Sequence, residues 1–312
     1  MDEFSLIRNY FAGLSPVAAD VILGIGDDCA LLDVPADCEL AVTSDTLVCG
    51  RHFPVDTAPA DIGWKALAVN LSDLAAMGAQ ARWFTLALTL PTADGNWLQQ
   101  FADGVQQLAT ASRVSLVGGD TTQGPLSITM TAMGLVPRGN ALKRSGARAG
   151  DAVCVTGTLG DAALALELMG TQDMPSGLRA RLNRPLPRLQ AGMALRGLAH
   201  AAIDLSDGLA GDLGHILEAS GVGAEIQADR LPMSGEFERA APRDRRLALQ
   251  AGGGDDYELC VCMSPEHVAA AAAALDVPLN VIGRITAGPG LRFVDATGVT
   301  IPSTAKGYLH FS

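Results

Sequence analysis

Two segments of the sequence alternate between polar and apolar residues, and this period of two is typical of a β-strand with one buried face. The segment RWFTLALTLP, residues 82–91, places large apolar side chains at every second position. The segment LSITMTAMGLV, residues 126–136, repeats the pattern. Helical patterns lie on either side of the first segment, over 61–77 and 97–112. The first ~140 residues therefore predict an α+β unit with about four strands and two main helices.

A segment rich in Gly and Arg, VPRGNALKRSGARAGD, separates this unit from the rest of the chain. Such a composition is typical of a boundary between domains. We therefore expect an N-terminal domain over 1–137 and a C-terminal domain over 138–312. Strand and helix patterns alternate in the second part, with one strand expected at Tyr257–Val261. The fold class expected for the whole chain is α/β (α+β).

The charge and composition of the chain exclude several classes of function. Its 312 residues carry a net charge of −12, which argues against nucleic acids or an anionic membrane as partners. No apolar run reaches the ~18 residues that a membrane span needs, and the N-terminus lacks the layout of a secretory signal. We therefore expect a cytoplasmic protein. None of the three lysines lies in a P-loop motif, so bound phosphates would be met by metals, arginines or backbone N–H groups.

Nine aspartates share one sequence context, beside Gly, Ser or Thr at the expected end of a strand or helix. They lie in six motifs: GIGDD (Asp27, Asp28), TSDT (Asp45), NLSDL (Asp73), GGDTT (Asp120), IDLSDG (Asp204, Asp207) and GGGDD (Asp255, Asp256). Any one of these motifs could be an ordinary turn or helix cap. Two of them hold adjacent carboxylates, however, and neighbouring like charges are stabilised when a cation lies between them.

The donor types in these motifs favour a hard cation. The aspartates are accompanied by the hydroxyls of Thr43 and Ser44, while the cysteines and histidines show no metal-ligand spacing. Such oxygen donors favour Mg²⁺, with Mn²⁺ as a substitute, over zinc. Mg²⁺ is usually held by one or two carboxylates plus phosphate oxygens, so many such motifs indicate several ions and a nucleotide. The spacing thus predicts a magnesium-dependent enzyme of phosphate chemistry.

Three other residues have less decisive surroundings. A lone histidine such as His52 in GRHF is more often structural than functional. Arg144 in LKRSG could bind a phosphate through two hydrogen bonds, or could equally be a surface charge. For Tyr308 in KGYLHF, the sequence alone predicts a residue that contributes to packing.

The chain resembles the thiamine-monophosphate kinases in seven motifs that follow one another in that family's order. They are GIGDDCALL, SDTLVCGRHF, KALAVNLSDLAAMGA, LVGGDTTQGPLSIT, LKRSGARAGD, AIDLSDGL and GGGDDYELC, and the similarity covers essentially the whole chain. The family is part of the aminoimidazole-ribonucleotide synthetase-like superfamily. The resemblance implies a two-domain α/β fold and a homodimer in which two N-terminal sheets form a barrel-like interface. It also implies that ATP phosphorylates thiamine monophosphate to thiamine diphosphate.

The resemblance further implies roles for individual residues. The implied metal ligands are Asp28, Thr43, Ser44, Asp45, Asp73, Asp120, Asp204 and Asp207. The implied contacts to ATP are Gly119, Asp120, Arg144 and Ser206. The implied contacts to the thiamine substrate are His52, Asp255 and Tyr308. No covalent nucleophile is implied, so we expect direct, in-line phosphoryl transfer with the help of several Mg²⁺ ions.

One position departs from the family's pattern. The family usually has GGEDYEL, whereas this chain has Asp255 where the glutamate would stand. The shorter side chain predicts a longer or water-mediated contact with the substrate. Two alternatives stay open at this point: another ATP-using enzyme of the same superfamily, and a non-enzymatic module that binds Mg²⁺ or nucleotide.

Overall fold

The computed structural model describes residues 3–171 and 174–302. Within these residues, no helix combines the length and the apolar character needed to cross a membrane. The chain divides into two compact units. The first unit comprises the chain up to Leu74 together with Ala79–Gly139. The second unit comprises Ala75–Gly78 together with the chain from Asn140 onward.

Long helices and long strands make up most of the chain up to residue 139. The helices are α1 (Glu3–Leu6), which continues as a π-helical turn (Ile7–Phe11), α2 (Pro59–Ala76) and α3 (Gly95–Ser112). The strands are β1 (Val21–Leu23), β2 (Leu31–Leu32), β3 (Cys38–Val48), β4 (Gln80–Leu90), β5 (Ser115–Gln123) and β6 (Ser127–Pro137). Strands β1 and β2 form a separate antiparallel pair.

The other four strands form a mixed sheet in the order β3-β6-β4-β5, in which β4 and β5 run parallel. The alternation of RWFTLALTLP explains the burial of β4, because Phe84, Leu86 and Leu88 are almost fully buried while Ala87 is exposed. The expected strand with one buried face is thus confirmed. Through β6, the register aligns Thr43 of β3 with Phe84, so that Thr43 lies on the buried face.

The second unit is built around a larger sheet. Its helices are α4 (Asp161–Glu167), α5 (Ser176–Asn183), α6 (Leu189–Ala194), α7 (Leu209–Ser220), α8 (Gly235–Ala240), α9 (Arg246–Gly252) and α10 (Val268–Ala274). Its strands are β7 (Ala152–Thr156), β8 (Ala199–Asp204), β9 (Gly223–Gln227), β10 (Leu259–Met263), β11 (Leu279–Thr286), β12 (Gly290–Val294) and β13 (Thr300–Ile301). Short 3₁₀ turns lie at Ala228–Arg230 and Pro265–His267.

The order of this sheet within the described residues is β13-β12-β9-β11-β7-β10-β8. Every residue of β7 and β10 is buried, as expected for strands covered on both faces. Strand β10 runs antiparallel to β8, and Leu259 at its start is opposite Asp204 at the end of β8. The segment that follows β8 and the segment that precedes β10 therefore meet at one edge of the sheet.

The strand expected at Tyr257–Val261 lies two residues later along the chain. It begins at Leu259, because Tyr257 has a φ of 49°, in the left-handed region that an extended strand excludes. Contacts with distant residues set this conformation, so the apolar pattern of the segment did not predict it.

Two helical glycines provide a test of how closely α2 and α3 approach each other. A Cβ on Gly104 of α3 would lie 1.9 Å from the carbonyl oxygen of Ala60 in α2, whereas a Cβ on Gly214 of α7 meets nothing within 4 Å. We expect Gly104→Ala to lower the free energy of unfolding by about 1–3 kcal/mol, because the helices must move apart. Gly214→Ala should raise it by about 0.5–1 kcal/mol through helix propensity. Urea unfolding of both variants measures these changes, and equal effects would contradict the close approach.

Candidate active site

Helix α2 and strand β3 hold two of the predicted metal ligands against each other. Asn70 and Asp73 are three residues apart and lie on one face of the helix. The Thr43 hydroxyl donates a hydrogen bond to Oδ2 of Asp73. The backbone N–H of Asp45 donates to Oδ1 of Asn70 at 3.0 Å, and Asn70 in turn donates to the Ala66 carbonyl at 3.0 Å. The structure thus brings Thr43, Asp45 and Asp73 together through the fully buried Asn70.

Asn70 was not among the predicted site residues. Its spacing from Asp73 within NLSDL is the signal that could have identified it, because positions i and i+3 of a helix share a face. Its amide is suited to the position, since it accepts from β3 and donates to its own helix without adding charge.

Ser44 lies on the opposite face of the sheet from its two neighbours. Its hydroxyl donates to the carbonyl of Met130 at 3.2 Å and is 3.0 Å from the hydroxyl of Thr131. The structure therefore does not bring the Ser44 side chain to Thr43 and Asp45.

Gly119 and Asp120 lie on the edge strand β5, opposite Leu86 and Ala87 of β4. A Cβ on Gly119 would be 1.9 Å from the carbonyl oxygen of Leu86, so glycine is required for this pairing. The side chain of Asp120 is exposed and lies on the same face as Ala87.

The remaining predicted residues of the first unit lie in turns. Asp28 is exposed, and its backbone N–H donates to Oδ1 of Asp27 at 2.8 Å. The ring of His52 closes the turn after β3, because the backbone N–H of Val48 donates to its Nδ1 at 3.0 Å. Since Nδ1 accepts, the neutral imidazole carries its proton on Nε2.

In the second unit, the segment after β8 is organised by a residue outside the predicted set. Asp204 is buried at the end of β8, and the backbone N–H of Asp207 donates to Oδ2 of Asp212 at 3.0 Å. Burial raises the pKa of Asp212 to about 7, against the opposing hydrogen bonds from the backbone N–H groups of residues 206–208. Asp212 is 3% exposed and lies in the first turn of α7. Its position in the first turn of the helix that follows LSDG is the sequence signal that could have identified Asp212.

The GGGDDY segment is joined to the segment after β8 by backbone hydrogen bonds. The N–H of Asp255 donates to the carbonyl of Ser206, and the N–H of Tyr257 donates to that of Leu205, both at 2.8 Å. The N–H of Leu205 donates to the carbonyl of Glu258, also at 2.8 Å. The structure thus brings together Ser206, predicted to contact ATP, and Asp255, predicted to contact the thiamine substrate.

The adjacent carboxylates of this segment have different surroundings. Asp256 is 1% exposed and accepts from the backbone N–H of Gly160 at 2.9 Å. Burial raises the pKa of Asp256 well above its usual range, and the positive charge of Arg181 opposes that change. Asp255 is partly exposed, and its Oδ1 accepts from the Tyr257 hydroxyl at 3.0 Å. The two carboxylates therefore have different partners, one buried and one partly exposed.

Glu258, which follows this segment, is fully buried in a cluster of ion pairs. Arg181 donates to its Oε1 at 2.8 Å, and Arg188 donates to its Oε2 at 2.6 Å. The Thr156 hydroxyl donates to Oε2 at 2.7 Å. The cluster joins β7, α5 and the residues before α6, and no sequence motif pointed to it.

One described residue of the predicted set is not connected to these clusters, and another lies beyond the described part of the chain. Arg144 is exposed, and its carbonyl oxygen accepts from the Ser220 hydroxyl at 3.3 Å. Tyr308 lies outside the described residues.

The donor set fits magnesium better than a metal that needs a closed cage of protein ligands. Within 3–171 and 174–302, no group of three or more His, Cys, Asp or Glu side chains is placed to hold a metal ion. Paired carboxylate and hydroxyl oxygens are present instead, as at Thr43 and Asp73. Mg²⁺ typically takes one or two carboxylates and completes its shell with water and substrate phosphates. Residues of this kind are therefore suited to an ion that arrives with a nucleotide.

Comparisons with known proteins match the chain over nearly its whole length. Residues 26–136 match the family model "AIR synthase related protein, N-terminal domain", and residues 148–296 match the corresponding C-terminal domain. The thiamine-monophosphate kinase of Salmonella typhimurium is 48% identical, covering 99% of this chain and 98% of its own. That of Haemophilus influenzae is 44% identical, covering 100% and 98%.

Solved structures agree with the sequence matches. A thiamine-monophosphate kinase from Stenotrophomonas maltophilia superposes with a TM-score of 0.84 at 50% identity, covering 88% of this chain and 91% of its own. The protein AaThiL, solved as a complex with AMPPCP and TMP, superposes with a TM-score of 0.79 at 32% identity, covering 92% of each chain. The two-domain α/β fold with mixed sheets is therefore shared with these proteins.

The raised pKa of Asp212 predicts how stability depends on pH. Its folded-state pKa of about 7 lies above the unfolded value of 3.8, so the native state binds one more proton between these values. The contribution of protonated Asp212 to the free energy of unfolding is complete below pH ~4. It is lost as the pH rises through ~7, at up to about 1.4 kcal/mol per pH unit. Asp212→Asn should flatten this dependence in urea unfolding measured from pH 5 to 8 with a chelator. An unchanged slope in the variant would contradict the assignment.

Proposed function

The chain belongs to the thiamine-monophosphate kinases, and on that premise we propose that it transfers the terminal phosphoryl group of ATP directly to thiamine monophosphate. The products are ADP and thiamine diphosphate. The structural observation that carries the proposal is the 2.8 Å hydrogen bond between the Asp255 amide and the Ser206 carbonyl. It joins a segment suited to the metal-bound nucleotide to a segment suited to the thiamine substrate. High similarity along the whole chain disfavours another enzyme of the superfamily and a non-enzymatic module.

The reaction needs orientation more than activation of a nucleophile. An oxygen of thiamine monophosphate is already anionic, so it forms a bond to the γ-phosphorus without first losing a proton to a base. The bond from that phosphorus to the β,γ-bridging oxygen breaks, and ADP leaves with the electron pair. When bound, Mg²⁺ would supply positive charge that screens the two polyanions and stabilises the transferred group. The contribution of the chain is to fix the two substrates in line.

Individual residues are assigned to this task by the donors they offer. In the first unit the metal ligands would be Asp28, Thr43, Asp45, Asp73 and Asp120, without the Ser44 side chain, which lies on the opposite face of the sheet. In the second unit they would be Asp204 and Asp207. Thr43 and Asn70 orient the acidic groups on β3 and α2, and Asp212 holds the backbone that carries Asp207. Gly119, Asp120, Arg144 and Ser206 would contact ATP. His52, Asp255 and Tyr308 would contact the thiamine substrate, with the Nε2–H of His52 as a donor to its phosphate.

We also propose that two copies of the chain pair through the face of the first sheet opposite α2. On this face, Leu40, Val42 and Val48 of β3 are 44%, 58% and 39% exposed. Hydroxyl side chains accompany them, with Thr46 and Thr129 only 2.8 Å apart across two strands. A long strand with apolar side chains in water is typical of an interface rather than of a free surface. The N-terminal domain, 1–137, would then serve both metal binding and dimerisation, next to a C-terminal domain over 138–312.

The proposed function is tested by measuring thiamine diphosphate formation from ATP and thiamine monophosphate. The purified protein is assayed with Mg²⁺, with Mn²⁺ and with a chelator in place of either ion. We expect equal amounts of ADP and thiamine diphosphate with the metals and neither product with the chelator. Binding of ATP without product in the presence of Mg²⁺ would exclude the kinase reaction.

The carboxylates of Asp45 on β3 and Asp120 on β5 provide a prediction for the proposed metal ligands. Asp45→Asn and Asp120→Asn should each lower kcat by about 10²-fold or more, because a neutral amide stabilises the metal and the transferred charge poorly. The fold should be unaffected, as thermal unfolding will report. Asp37→Asn removes an exposed carboxylate just before β3 and is the matched control. Near-normal kcat in both Asp45→Asn and Asp120→Asn would contradict the metal assignment.

The proposed dimer interface predicts that a charged substitution on it lowers the molecular mass of the protein in solution. Val42→Lys introduces a charge at the centre of the exposed face of β3 and should convert the dimer to a monomer, because burying an unpaired charge is unfavourable. Val55→Lys is the matched control, since Val55 is 84% exposed in the loop after β3. Sedimentation velocity of the two variants measures the outcome. A Val42→Lys variant that is still a dimer would exclude this face as the interface.

A further inference from the structure

The segment Gly253–Tyr257 has an unusual backbone. Among the described residues, Asp255, Tyr257 and Arg113 are the non-glycine residues with positive φ, and two of the three lie in this segment. Aspartate tolerates the left-handed region, whereas a bulky aromatic residue adopts it only when surrounding contacts require it. Such backbone strain is concentrated at functional sites.

Three contacts hold the segment in this conformation. The backbone N–H groups of Asp255 and Tyr257 donate to the carbonyls of Ser206 and Leu205, both at 2.8 Å. Between them, the buried carboxylate of Asp256 accepts from the N–H of Gly160 at 2.9 Å. The segment is therefore fixed on both sides, and its left-handed residues are not free to relax.

The consequence is a contact between the side chains of the two left-handed residues. The Tyr257 hydroxyl donates to Oδ1 of Asp255 at 3.0 Å. Tyr257 is only 7% exposed, so its ring is held by packing and its hydroxyl is a fixed donor. Asp255 is partly exposed. An immobile donor thus determines where an accessible carboxylate points.

We propose that Tyr257 is a positioning residue for substrate recognition, whose hydroxyl fixes the Asp255 carboxylate in the orientation that receives the thiamine substrate. The inference rests on the proposed function, in which Asp255 contacts that substrate. Thiamine monophosphate offers a cationic thiazolium ring and an aminopyrimidine N–H, and a carboxylate complements both. A short aspartate side chain has little reach, so its direction matters. Fixing that direction before binding removes part of the entropic cost of the encounter.

The first test is Tyr257→Phe, which removes one oxygen and leaves the ring. We expect KM for thiamine monophosphate to rise about tenfold, the loss typical of a hydrogen bond to a charged group. KM for ATP and kcat should stay within about twofold, because the contact concerns binding of one substrate. Tyr10→Phe removes a hydroxyl from the first unit and should leave all three constants unchanged.

The second test is a double-mutant cycle with Asp255→Ala. If Tyr257 acts only through Asp255, Tyr257→Phe should raise KM for thiamine monophosphate by less than twofold in the Asp255→Ala background. A full tenfold effect in that background would overturn the proposal, as would an unchanged KM in the single variant. A collapse of the melting temperature of Tyr257→Phe would also overturn it, since the hydroxyl would then serve folding.

The outcomes separate this inference from the proposed function. If the wild-type protein forms thiamine diphosphate and Tyr257→Phe behaves like wild type, the positioning role alone is wrong. If the wild-type protein forms no thiamine diphosphate, the proposed function and the positioning role are both wrong.

Discussion

The arrangement of the second unit depends on a carboxylate that water does not reach. Glu258 lies between the guanidinium groups of Arg181 and Arg188, with the Thr156 hydroxyl as a third donor. Removing one partner from a buried ion pair of this kind costs about 3–5 kcal/mol, because a charge is then left unpaired. Helix α5, strand β7 and the residues before α6 are therefore held around the start of β10. Because Glu258 directly follows Tyr257, these ion pairs also hold the end of the GGGDDY segment in place.

Neutral donors organise other carboxylates in each of the two units. Asp73 receives the hydroxyl of Thr43, and Asp212 receives backbone N–H groups from residues 206–208. A neutral donor orients a carboxylate without cancelling its charge, so a carboxylate that is ionised keeps its negative potential for cations. A chain with a net charge of −12 that binds two polyanionic substrates needs local positive charge, from arginines or from bound cations.

The sequence predicted those features that depend on nearby residues. The alternating pattern identified β4 because one face of a strand is buried along its whole length. That Ser206 and Asp255 lie together was not predicted, because it depends on the pairing of β8 with β10, which are distant in sequence. The ion pairs of Glu258 could not be predicted, since its arginines are 77 and 70 residues away along the chain. The left-handed conformation of Tyr257 is likewise imposed by a partner distant in sequence, the Leu205 carbonyl, and it moved the start of β10 by two residues.

The hydrogen bonds between the segment after β8 and the segment before β10 have a thermodynamic consequence. The N–H of Asp255 is paired with the carbonyl of Ser206, so neither segment moves without the other. Because both segments are already ordered in the free chain, a ligand that contacts either of them removes little conformational freedom from the backbone. The shared hydrogen bonds thus lower the entropic cost of binding at both segments.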